Sequence, residues 1–167
     1  MALKMLPYVF VRSFNIRHCE WSEIDFENKE WIIPASKMKT KSEFILPLSN
    51  YVIDLLTEVK KFTSDSKYVF ASFKDKNRPM SENTLISALR RMGYTKEEFV
   101  PHSFRAMFST IAYENMNEHQ CSGEVIEALL AHKETNKVKE AYNRATYKQG
   151  MKKLIDWYSN YLKTLVT

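Results

Sequence analysis

Apolar positions fall into a helical pattern almost from the first residue. They predict helix over residues 3–20, with a break or turn near Arg12–Asn15. From residue 22 to 47 the pattern changes. The runs "SEIDF", "EWIIP" and "EFILPL" are short and rich in Ile, Phe and Trp, and the polar turns "ENK" and "KMKTKS" separate them. Such residues suit a pleated, half-buried surface, so a small antiparallel sheet is expected here. Ser49 or Asn50 then caps a helix with Val52, Leu55, Leu56 and Val59 among its apolar positions. "KYVFAS" reads as a short strand or extended segment.

The remainder reads as helix. Ser81 is placed to cap "ENTLISALRRMGY", which Gly93 ends. "HSFRAMFSTIAYENM" follows Pro101, and "GEVIEALLAH" follows a cap at Ser122. A long helical stretch is expected from about Lys137 towards the C-terminus, interrupted near Gly150. Its last segment carries Leu154, Trp157, Leu162 and Leu165 along one face, beside Tyr158 and Tyr161. That face either packs on its own domain or docks on a neighbouring subunit. The fold class is α+β, mainly α: a helical domain with a small three-stranded antiparallel sheet near its N-terminus. No repeat, low-complexity tract or Gly/Ser linker divides residues 1–167, so one domain is expected.

Composition narrows the class. A 167-residue chain that is 44% hydrophobic and 13% aromatic is long and apolar enough for a real core. Lys and Arg outnumber Asp and Glu by 25 to 20, a net charge of +5. That excess suits a polyanion such as nucleic acid, although many basic proteins bind none. Cys19 and Cys121 stand alone, outside any CxxC or Cys/His spacing, which argues against a disulfide framework and a structural zinc site. The apolar run from Met5 to Val11 holds Pro7 and stops at Arg12, too short to span a membrane. A soluble, cytoplasmic protein is expected. Because the helical pattern begins with no leading cap, the chain is expected to be a piece of a longer protein.

Several residues carry candidate chemistry. In "PHSFR", His102 and Arg105 are three apart at the start of a helix, where the positive end of the helix dipole favours a phosphate. In "KMKTKSEFILP", Lys37, Lys39 and Lys41 alternate, which on a hairpin puts them on one side. A lysine there is a mobile point charge with protons to donate. His132 follows "ALLA" at a helix end, and Tyr142 is one of nine tyrosines, set among Lys137, Lys139 and Arg144. Tyr147, five residues on, lies about 140° further round a helix. Taken singly, each has an ordinary reading: Arg12 pairs with Glu20 or Glu23, His132 caps a helix, Tyr142 packs in the core, and the lysines are solvated.

The order Arg12, Lys39, His102, Arg105, His132, Tyr142 resembles that of the tyrosine recombinases, the phage-integrase family. "VRSFNIR" looks like the first arginine motif, "KTKSEFILPL" like the hairpin lysine motif, and "PHSFRAMFST" like the second arginine box. "IEALLAHKETNKVKEAYNRATY" is similar to the nucleophile region of prophage and genomic-island integrases, and "WSEID" agrees. The resemblance covers nearly the whole chain. It implies a catalytic domain without the family's core-binding and arm-binding domains. It implies Tyr142 as nucleophile, Arg12 and Arg105 on the scissile phosphate, and Lys39 as general acid. His102 would act as base or hydrogen-bond partner, and His132 would stabilise the transition state. It implies double-stranded DNA attachment sites as partner, a homotetramer in the synaptic complex with a monomeric isolated domain, and neither cofactor nor metal. Two guanidiniums and a histidine can balance the charge that other enzymes meet with metal ions. The Leu154–Leu165 face is then the candidate for exchange between subunits. Lys37, Lys41, Arg90 and Lys133 are further candidate DNA contacts.

One motif departs from the family. Where it reads Arg-x-Gly-Glu, this chain has Phe14 and Asn15 in "RSFNIR". Asn15 keeps hydrogen-bonding capacity without the charge, and Phe14 does not tolerate positive φ. The departure motivates a second reading, a catalytically impaired DNA-binding remnant. A type IB topoisomerase is a third.

Overall fold

A computed structural model describes the backbone of residues 1–132 and 137–165 and the side chains of 1–132 and 147–165. Helix α1 (Ala2–Val9) ends in a left-handed Phe10 (φ 46°), and α2 (Ser13–Arg17) follows, with Arg12 as its extended N-cap. The break therefore falls at Phe10–Arg12, slightly earlier than the sequence predicts. Phe14 sits inside α2, so its position demands no positive φ.

A 3₁₀ turn at Trp21–Glu23 leads into β1 (Ile24–Asp25), β2 (Glu30–Ile33) and β3 (Phe44–Pro47). The sheet is antiparallel in the order β1-β2-β3, with Trp31 opposite both Ile24 and Leu46. Helix α3 (Asn50–Thr63) buries Val52, Leu55, Leu56 and Val59. Ser49 is its N-cap residue, but its hydroxyl pairs with Ser159 of the last helix rather than capping the backbone. No strand forms at residues 67–72: Tyr68 and Ala71 make isolated bridges, to Glu20 and Pro79, with a turn at 69–70 between them. Helices α4 (Thr84–Arg91), α5 (Ser103–Glu114), α6 (Met116–His119) and α7 (Gly123–Leu129) follow.

The last helix, α8 (Lys137–Thr164), runs through Gly150 without interruption. A Cβ at Gly150 would lie 2.9 Å from a γ-methyl of Val125, so the glycine permits close approach of α7 and does not break the helix. Met151, Leu154, Ile155, Tyr158 and Leu162 of α8 are buried in the chain's own core, and Trp157 packs against it. Of the face expected to offer an exchange surface, only Leu165 is well exposed. At the centre, Phe10 stacks on Phe108 at 3.6 Å, and Tyr158 stands edge-on to both. These rings join α1, α5 and α8. Among the described residues no helix is long and apolar enough to cross a membrane.

Candidate active site

Arg105 projects from the first turn of α5 and is 7% exposed. Its guanidinium donates one hydrogen bond to the Phe10 carbonyl and another, of 2.7 Å, to the Leu130 carbonyl. Both acceptors are exposed by turns: Phe10 ends α1 in left-handed backbone, and Leu130 is the C-cap of α7. Burial lowers the Arg105 pKa, and the nearby charge of Arg12 lowers it further. Arg105 remains a cation, because an arginine side chain does not deprotonate in proteins. Two like charges are thus held together with no carboxylate bonded to either among the described residues. Such a pair is relieved by an anion.

His132 completes this cluster. Helix α7 ends in two crossed hydrogen bonds, Ala131 N–H to the Ala128 carbonyl and His132 N–H to the Glu127 carbonyl, with Ala131 left-handed (φ 49°). That turn brings the imidazole Nε2 to 3.5 Å from the Arg105 guanidinium. On the other edge of the ring, Nδ1 lies 2.6 Å from Glu127 Oε2, and the Tyr113 hydroxyl donates to Glu127 Oε1 at 2.9 Å. Glu127 and Tyr113 are absent from the sequence reading. Five helical residues put Glu127 about 140° away from His132 on a continuous helix. Only the left-handed turn at Ala131 brings the two together.

The lysine loop does not keep the alternation expected of a hairpin. Ala35–Lys37 is a 3₁₀ turn and Lys41 is left-handed (φ 55°), so residues 37–41 are not a continuous extended strand and the alternation has no strand to act on. Lys37 turns inward. Its ammonium donates to the His18 carbonyl (2.6 Å), to Glu20 (2.8 Å) and to Glu23. Lys39 and Lys41 are exposed and make no side-chain hydrogen bond or ion pair among the described residues. Asn15, 3% exposed, donates from Nδ2 to the Lys37 carbonyl at 2.9 Å. This ties α2, which Arg12 begins, to the base of the loop that carries Lys39.

Other candidates lie apart. His102 is the exposed N-cap residue of α5, whereas Arg105 is buried; the Arg105 backbone N–H bonds to the His102 carbonyl, but no side-chain hydrogen bond joins them among the described residues. The Arg90 guanidinium donates to the carbonyls of Tyr94 (2.6 Å) and Phe99 (3.0 Å), closing the loop before α5. Tyr142 lies within α8, but its side chain is outside the described residues, as is Lys133 altogether. No three His, Cys, Asp or Glu side chains converge as a metal site among the described residues.

Comparison with known proteins gives consistent results. The model of the phage integrase family matches residues 1–149. An integrase of Shigella phage Sf6 is 36% identical over 163 residues, covering 97% of this chain and 41% of its own length. Prophage integrase IntS of Escherichia coli (strain K12) matches with the same identity and coverage. An integrase of Enterobacteria phage P4 is 35% identical over 176 residues, covering 97% of this chain and 39% of its own length. The chain therefore spans about two-fifths of the length of these relatives.

Proposed function

Because the chain belongs to the phage integrase family, we propose that it is the catalytic domain of a site-specific tyrosine recombinase, which cuts and rejoins DNA at the attachment sites of a mobile element. The observation that carries this reading is the convergence of Arg12, Arg105 and His132. The Arg105 guanidinium and the His132 imidazole are in contact, and the Arg12 charge is near enough to lower the Arg105 pKa, so a scissile phosphate beside them would supply the missing negative charge.

In this reading the Tyr142 hydroxyl attacks the phosphorus. A base takes its proton, His102 being assigned by the resemblance as that base or as a hydrogen-bond partner, and the bond to the 5′-oxygen breaks as Lys39 protonates the leaving group. A 3′-phosphotyrosine results. Negative charge grows on the non-bridging oxygens, where donors fixed in advance stabilise it more than water does. An ordinary tyrosine has a pKa of roughly 10, and nearby cations ease formation of the phenolate. The phosphotyrosine keeps the energy of the broken bond, so a new 5′-hydroxyl can reverse the step without ATP. Lys39 suits its role through exposure: a general acid must reach the leaving oxygen and be free of other partners. Full recombination would use a homotetramer on two duplexes. Burial of α8 through Leu162 supports a monomer for the chain alone.

The competing reading as an impaired remnant rests on Phe14 and Asn15. The regular helical setting of Phe14 and the Asn15 bond to the loop favour an intact Arg12 position instead. A suicide duplex, nicked beside the cleavage point, tests the proposal. Wild type is expected to form a covalent adduct that survives denaturing electrophoresis, and Tyr142→Phe is expected to form none. An adduct that persists in Tyr142→Phe would remove the nucleophile assignment. Absence of any adduct with wild type on its own site would remove the enzyme.

A further inference from the structure

We propose that Glu127 is a positioning residue for His132, and that Tyr113 steadies Glu127 in that task; the proposal rests on the recombinase reading of the site. An imidazole at a helix end can rotate, and either nitrogen can carry the proton. Here both freedoms are removed. A carboxylate only accepts hydrogen bonds, so the 2.6 Å contact with Glu127 Oε2 places a proton on Nδ1. The ring plane is then fixed by two anchors, Glu127 on one edge and Arg105 on the other. A second proton can be added only at Nε2, the nitrogen that faces the Arg105 guanidinium and any phosphate oxygen beside it. The ring thus meets a phosphate with its nitrogen already aimed, and no reorientation is needed as charge develops.

Tyr113 does for Glu127 what Glu127 does for His132. Its hydroxyl binds the other carboxylate oxygen, so the carboxylate cannot swing away. Burial raises the Glu127 pKa, but the hydrogen bonds from His132 and Tyr113 outweigh it and the net direction is down, which keeps the acceptor ionised. The His132 and Glu127 side chains are 52% and 43% exposed, so the pair adds little to folding stability. The backbone bond from His132 to the Glu127 carbonyl survives any substitution of the Glu127 side chain, so the turn itself remains.

The test combines adduct formation on the suicide duplex with ring-nitrogen NMR of His132. The variants are Glu127→Ala, Glu127→Gln, His132→Ala and the double variant Glu127→Ala/His132→Ala. Glu127→Ala is expected to slow adduct formation about tenfold or more, in the range seen when a partner that orients a functional histidine is removed, with an unchanged thermal midpoint. Glu127→Gln keeps an oxygen for Nδ1–H and should recover much of the rate. The double variant should be no slower than His132→Ala alone. The ring spectrum should show Nδ1–H in wild type and a mixture of tautomers in Glu127→Ala. A wild-type rate for Glu127→Ala, a further loss in the double variant, or an unchanged tautomer would each overturn the proposal. If wild type forms no adduct at all, the recombinase reading fails and this proposal falls with it. Normal wild-type activity with a silent Glu127→Ala removes this proposal alone.

Discussion

Lys37 and Lys39 stand two residues apart and have opposite environments. Lys37 is held by Glu20 and Glu23, with side chains 16%, 17% and 6% exposed, while Lys39 projects into solvent. Sequence could not separate them, because alternation assumes an extended strand and the backbone there is a 3₁₀ turn. Removing the Lys37 ammonium leaves the buried Glu23 without its cation and Glu20 with Lys67 alone, so Lys37→Met should cost about 3 kcal/mol in urea unfolding. A loss under about 0.5 kcal/mol would contradict the burial argument. The cluster also sets a pH dependence. Burial raises the Glu20 pKa, yet hydrogen bonds and charge from Lys37 and Lys67 dominate and leave it below 4.5. A depressed carboxylate contributes stability above its unfolded value and loses it as pH falls through the folded one. Unfolding free energy should therefore drop below about pH 4.5, and less steeply in Lys37→Met than in wild type. Arg12 was legible from its motif. The fit of Asn15 was not, because its partner is a backbone carbonyl 22 residues away.

Among the elements, the longer helices were legible because each apolar period is long or clearly bounded, whereas the short α6 (Met116–His119) was not separated from α5. The break in α8 was misread because a lone glycine in a helical run looks like a stop. Its actual function depends on Val125, on another helix. The magnitudes decide the sign of a substitution there. Gly150→Ala gains about 1 kcal/mol of helix propensity. It also forces a methyl to within 2.9 Å of a stiff, β-branched side chain, an overpacking cost of about 1–3 kcal/mol. Net destabilisation by about 1 kcal/mol is expected, and Val125→Ala in the same chain should relieve the clash. A more stable Gly150→Ala protein would show that α7 and α8 are less tightly apposed. The turn at Ala131 matters more for function, because it alone brings Glu127, His132 and Arg105 together. Pairwise sequence spacing carries no sign of it.

At the scale of the whole molecule, Arg105 links the ends of α1 and α7 within reach of the Arg12 charge, so the proposed phosphate site and the core share one side chain. On the proposed reading, lysines and arginines that contact DNA phosphates give binding a strong salt dependence. Charges already satisfied inside the fold should not contribute. Anisotropy titrations on a fluorescent duplex across salt concentrations should show it: Lys41→Ala is expected to reduce the slope of log affinity against log salt by about 1. Arg90→Met is expected to leave the slope unchanged, because its guanidinium serves Tyr94 and Phe99. Equal reductions in both variants would contradict the division between free and internal cations.

The proposed phosphate site is tested most directly by changing the charge of the phosphate itself. Arg12 suits the experiment because its side chain makes no hydrogen bond within the fold among the described residues. On an ordinary suicide duplex, Arg12→Ala should form the covalent adduct about 100-fold more slowly than wild type. On a duplex whose scissile phosphate is replaced by a neutral methylphosphonate, less charge needs balancing, and most of that deficit should disappear. An equal deficit on both substrates, or none on the first, would contradict the assignment of Arg12 and Arg105 as the pair that balances the scissile phosphate.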